Sequence, residues 1–214
     1  MIITEVRRCR RSLYLLVLDG QDGPTVDVRT FDESPYCEGG GISEEQLFAL
    51  LEASEYNRAR DRALYLLGLR DYACKELEKK LLTEARPEVA QRVVTRLTEV
   101  GLLDDERYAQ RLAQNLSRSK QYPKRRVAQE LQRRGVDRET AGYAAEEIDC
   151  EDYKLALALI EKKYYNKMTD RDSRQKVMAA LARRGFYYEA IRLAIAAYDE
   201  QMQTDFEETE TIWE

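Results

Sequence analysis

The chain has 214 residues, 43% of them apolar and 35% charged, with a net charge of −5. It can bury a core but must keep a large polar surface, as small helical units stacked side by side do. It contains no histidine, which excludes every mechanism using imidazole as base or metal ligand.

The first forty residues read as a small β region. Ile2–Val6 and Leu13–Leu18 are short apolar runs, Asp19-Gly20 and Asp22-Gly23-Pro24 are turn signals, and Val26–Val28 fits a third strand. Gly39-Gly40-Gly41 then interrupts the chain, and the period becomes helical. Ser43 with Gln46 forms a capping box, followed by Leu47, Leu50 and Leu51. Tyr56 to Leu69 reads as a second helix, and Asp71 is placed to cap a third that carries Leu77, Leu81 and Leu82. Pro87 suits a first helical position, Gly101 ends that helix, Asp104 is placed to cap the next, and Pro123 opens another that ends at Gly135.

A repeat underlies this series. Glu130-Leu131-Gln132-Arg133-Arg134-Gly135-Val136 matches Ala180-Leu181-Ala182-Arg183-Arg184-Gly185-Phe186, and Glu76–Leu82 has the same shape without the glycine. The anchor leucines Leu77, Leu131 and Leu181 lie 54 and 50 residues apart, room for three short helices and their loops. The fold class is therefore mainly α: tandem three-helix repeats in an elongated array, with a small N-terminal β-strand region. The expected segments are a β cap over 1–41, a leading helix over 42–56, repeats over 57–103, 104–149 and 150–198, and an acidic, disordered tail over 199–214. The tail carries seven acidic side chains and no basic one.

Charge is unevenly spread. Residues 107–138 hold ten basic side chains against only Glu130 and Asp137, a local +8 that suits an anionic partner. The candidate binding residues are Arg118, Lys120, Lys124, Arg125, Arg126, Arg133 and Arg134. Arg118 to Arg126 spans a loop between helices, where several cations can converge on one phosphate or acidic surface. Tyr122 among them fits either stacking or packing. The Arg-Arg-Gly triplets also read as ordinary helix endings, since cations complement the helix dipole and glycine supplies the left-handed cap.

No catalytic constellation is present. Asp104-Asp105 follows an apolar pair at a helix start, as capping residues do. Neither G-x-x-x-x-G-K-[ST] nor G-x-G-x-x-G occurs. Cys9, Cys37, Cys74 and Cys150 lie far apart in sequence and lack metal-ligand spacing. No enzyme activity, metal or cofactor is expected. No run of about 18 apolar residues could span a bilayer, and the start lacks the features of a signal peptide, so a cytoplasmic protein is expected.

Several of these residues resemble the RecX family of bacterial recombination regulators. Gly101-Leu102-Leu103-Asp104-Asp105-Glu106-Arg107-Tyr108-Ala109 follows the family's junction between its first and second repeats. Leu67, Arg70, Glu76 and Leu77 fit its first repeat. Arg118, Arg125-Arg126-Val127, Glu130-Leu131 and Arg134-Gly135-Val136 fit its second. The resemblance covers about residues 57–198. The chain departs at Pro123, where the family often has glycine, and at Ala73, where it often has serine; Pro123 still makes a good helix start. The resemblance implies a curved helical array that binds the filament of RecA, the strand-exchange recombinase. It would restrain ATP hydrolysis and strand exchange in DNA repair, recombination and the SOS response. It also implies a monomer that contacts single- or double-stranded DNA through the basic second repeat. The residues alone leave open a non-catalytic DNA-binding repeat protein and a helical scaffold for an acidic protein partner.

Overall fold

The computed structural model describes residues 1–10 and 12–211, the side chains of 204–211 excepted. The chain divides into two compact units, residues 1–104 and 105–214.

In the first unit, β1 (Ile3–Arg10), β2 (Leu13–Leu18) and β3 (Gln21–Asp27) form an antiparallel sheet in the order β1-β2-β3. Asp19 and Gly20 both have positive φ (48° and 79°) and join β2 to β3 with Leu18 opposite Gln21. That is the two-residue hairpin the Asp-Gly pair predicts, its twist matched to the strands. The third strand ends at Asp27, whose carboxylate accepts from the Thr30 N–H at 3.1 Å and starts a short helix, α1 (Val28–Asp32), that the sequence reading lacks. Ile3, Leu16, Val26, Phe31, Ile42 and Leu50 form the core beneath the sheet.

The helices expected over 42–56 and from Tyr56 onward are one, α2 (Glu44–Leu69), capped by the Ser43–Gln46 box. Nothing between them breaks a helix: no proline or glycine occurs before Gly68. Ser54, polar and mid-helix, is buried, and its hydroxyl accepts from the Asp27 N–H at 2.7 Å, joining helix to sheet. The helices α3 (Cys74–Leu81) and α4 (Pro87–Glu99) close the first repeat around Leu77, Leu81, Val93 and Leu97. The N-cap of α3 is Ala73, not Asp71, and Pro87 opens α4 as expected. Gly101 (φ +73°) ends the turn after α4, with the N–H groups of Leu102 and Leu103 donating back to the Leu97 carbonyl.

The second unit holds α5 (Asp105–Lys120), α6 (Lys124–Arg133), α7 (Arg138–Glu146), α8 (Asp152–Leu159), α9 (Arg171–Arg183) and α10 (Tyr188–Thr211). The matching heptapeptides end α6 and α9 in the same way. Leu131 and Leu181 are fully buried, Gly135 and Gly185 take φ of 96° and 101°, and the N–H groups of Val136 and Phe186 return to the carbonyls of Leu131 and Leu181. Two features depart from a plain repeat. After α8 the chain widens into a π-helical turn, Ile160–Tyr164, and then a short 3-10 turn, Tyr165–Lys167. And α10 continues as helix through 199–211, where the sequence reading placed a disordered tail. Tyr198 is in the core, Asp199 is bound by the Arg174 guanidinium at 2.8 and 2.9 Å, and no helix breaker follows.

Candidate partner-binding surface

The seven cations singled out in the sequence do not form one strip. Arg133 and Arg134 sit one turn after the buried Glu130, the i+3 and i+4 positions that face it. Arg133 donates to both Glu130 oxygens (2.6 and 3.1 Å), and Arg134 lies 3.5 Å from one of them. Hydrogen bonding from Arg133 holds the Glu130 carboxyl below its usual range against the opposing effect of burial. Lys124 is held as well: its N–H donates to Asp152, and its ammonium to the Glu146 carbonyl (2.9 Å) and carboxylate (3.3 Å). Burial raises the Asp152 carboxyl above its usual range, and the Lys124 hydrogen bond opposes that only in part. Arg118 is exposed on the last turn of α5.

Lys120 and Arg126 turn the other way. They flank Tyr122, their charged groups 5.7 and 5.5 Å from its ring centre, and face a cleft of about 340 Å³. Its far side comes from the third repeat, with Lys162 from the π turn and Arg183 and Arg184 from the end of α9. Five cations thus meet around one cleft with no carboxylate among its lining residues. Among the described residues none of the five is in an ion pair, although Arg133, Lys124, Lys154 and Arg174 in the same unit all are. The floor is apolar: Leu155, Ala158 and Leu159 from α8, with Phe186 at its edge.

Arg125 points to a shallower groove on the α6–α7 side. Its guanidinium lies 5.6 Å from the Tyr187 ring centre, and the exposed Tyr143 and Arg138 line the same groove.

Lys162, Arg183 and Arg184 were not among the sequence candidates. The repeat match pairs Arg183-Arg184 with Arg133-Arg134, but the third repeat has Ala180 where the second has Glu130. That one difference leaves the third-repeat pair without the carboxylate that occupies the second.

Among the described residues no cluster of three or more histidine, cysteine, aspartate or glutamate side chains could hold a metal ion, and no helix is long and apolar enough to cross a membrane.

Comparison with known proteins places these elements. Residues 104–144 match the RecX second three-helix domain and residues 149–195 the RecX third three-helix domain. Regulatory protein RecX of Trichlorobacter lovleyi is 35% identical over 136 residues, which are 61% of this chain and 88% of that protein. The chain belongs to the RecX family. Regulatory protein RecX of Clostridioides difficile is 29% identical over 157 residues, 72% of this chain and 74% of the relative. A crystal structure of a regulatory protein RecX shares the fold with a TM-score of 0.67 over 90% of this chain and 98% of that one, at 21% identity. The two RecX domain matches meet between 144 and 149, so the cleft is built from both: Lys120 and Arg126 from the second, Lys162, Arg183 and Arg184 from the third.

Proposed function

We propose that this chain binds the RecA recombinase filament and restrains its ATP hydrolysis and strand exchange by occupying the filament, without catalysing a reaction itself. It acts as a cytoplasmic monomer and adds contacts to single- or double-stranded DNA through exposed cations of the second repeat, Arg118 and Arg125 among them. Membership of the RecX family supports the partner. The observation that carries the mode of action is the cleft between the second and third repeats, lined by five cations that form no ion pair among the described residues, a surface suited to an anionic assembly.

Affinity for preassembled RecA–DNA filaments, compared with affinity for bare DNA over a range of salt, tests the proposal. Filaments should be bound at least tenfold more tightly at physiological salt. Equal affinity for both, falling steeply with salt, would make the chain a plain DNA-binding protein. Indifference to both would leave a scaffold for another acidic protein.

A further inference from the structure

We propose that the five-cation cleft is a docking site for an acidic protein segment carrying an apolar side chain, so that on the filament it grips the recombinase itself rather than the DNA. The proposal rests on the filament reading above and assigns its cleft to one of the filament's two components.

Charge sets the sign of the partner. Lys120, Arg126, Lys162, Arg183 and Arg184 repel one another across a shared space, and an incoming anion relieves that repulsion. Two features hold the arrangement in place. Gly185 lies so close to α6 that an added Cβ would sit 2.8 Å from the Arg126 Cβ and 3.2 Å from its Cα, fixing the end of α9 against the start of α6. The π turn carries Lys162 at its centre, between the buried Ile160 and Tyr164, so the widened turn aims Glu161, Lys162 and Lys163 outward. Such turns concentrate at functional sites.

The floor decides between nucleic acid and protein. Sites that hold single strands without regard to sequence offer open aromatic faces on which bases stack. Here Phe186 is only 3% exposed, and Tyr122 is flanked by Lys120 and Arg126. What lies open between the cations is aliphatic: Leu155 and Leu159, half-buried, and Ala158, exposed. An aliphatic floor ringed by guanidinium and ammonium groups matches an apolar side chain flanked by carboxylates. Desolvating that floor adds affinity that a phosphate alone would not gain.

Ala158→Trp fills the floor without changing charge and tests this directly. Affinity for RecA–DNA filaments should fall at least tenfold, with affinity for a bare oligonucleotide within threefold of wild type. A second comparison covers the case that Ala158→Trp misfolds. Lys162→Glu/Arg183→Glu should lose filament binding, whereas Lys167→Glu/Arg171→Glu, with the same change in net charge outside the cleft, should retain it. Parallel loss of bare-DNA binding in Ala158→Trp would make the cleft a nucleic-acid site. Unchanged filament binding in both cleft variants would place docking elsewhere. Either result overturns the assignment. If wild-type protein binds no filament at all, the filament reading falls first and takes this one with it.

Discussion

Gly185 leaves no room for a side chain beside Arg126: a Cβ at 185 would meet the Arg126 Cβ at 2.8 Å and its Cα and amide nitrogen at 3.2 Å. The glycine is therefore needed twice, for its φ of +101° and for the space. Gly101 makes a matched control, with φ +73° and nothing within 4 Å of an added Cβ. Gly101→Ala should cost about 1–2 kcal/mol from the left-handed backbone alone. Gly185→Ala should cost a further 1–3 kcal/mol or so, because a backbone neighbour cannot step aside. Urea unfolding of both variants measures the difference, and equal losses would mean the contact yields freely.

Glu130 supplies a pH-dependent term. Hydrogen bonding from Arg133 lowers its pKa from 4.5, so the folded state prefers the carboxylate. The resulting stabilisation is complete above about pH 4.5 and is lost as pH falls through the depressed folded value. Glu130→Gln should therefore be less stable than wild type by about 1 kcal/mol at pH 7. The gap should narrow as acid protonates the wild-type group; a gap constant with pH would contradict the pairing.

Asp152 has the opposite sign. Its pKa is raised by burial, so the folded state favours the protonated form and the charge opposes folding as pH rises through that value. Asp152→Asn keeps an acceptor for the Lys124 N–H and removes the charge. At pH 7 its thermal midpoint should equal or exceed that of wild type, and a large drop would show that the charge itself is needed.

Gln121 holds a positive φ of 51° at the end of α5, where its N–H donates to the Ser117 carbonyl and the Tyr122 N–H to that of Leu116. This is a glycine-type helix ending carried by glutamine, beside the cleft. Gln121→Gly relieves the strained backbone but gains freedom in the unfolded chain, for a net gain of about 0.5 kcal/mol. Calorimetry should show a small upward shift; a fall would mean the glutamine side chain contributes more than its backbone costs.

Arg125 and Arg126 are neighbours that serve different faces, one over Tyr187 and the other in the cleft. Changing both to glutamate should weaken filament binding tenfold or more while far-ultraviolet circular dichroism stays unchanged, since neither is in an ion pair among the described residues. Wild-type binding by that variant would remove both faces from the site.

The repeats were legible because Leu131-x-Arg-Arg-Gly and Leu181-x-Arg-Arg-Gly each write a buried anchor and a left-handed cap into adjacent residues. The hairpin was legible through Asp19-Gly20. The fusion of two expected helices into α2 was hidden because the apolar series Leu47, Leu50 and Leu51 lapses over Glu52-Ala53-Ser54-Glu55, where the buried Ser54 is held by its hydroxyl on the Asp27 N–H and not by an apolar contact. The π turn was hidden for another reason: Leu155 to Ile160 is wholly apolar and shows no period to distinguish one helix type from another. The cleft was half visible. A window of basic residues finds Lys120 and Arg126, but not Lys162 or Arg183, which lie more than thirty residues further along the chain and meet them only after two repeats have packed. The same window also takes in Arg133 and Arg134, whose partner Glu130 stands three and four residues before them.

DNA-dependent ATP hydrolysis by the cognate RecA, titrated with this protein, tests the central claim most directly. Inhibition is expected well below one copy per RecA monomer, because a protein lodged in a filament affects many subunits. ATP hydrolysis unchanged at equimolar protein, with bare DNA still bound, would contradict it and leave RecX family membership as a statement about the fold.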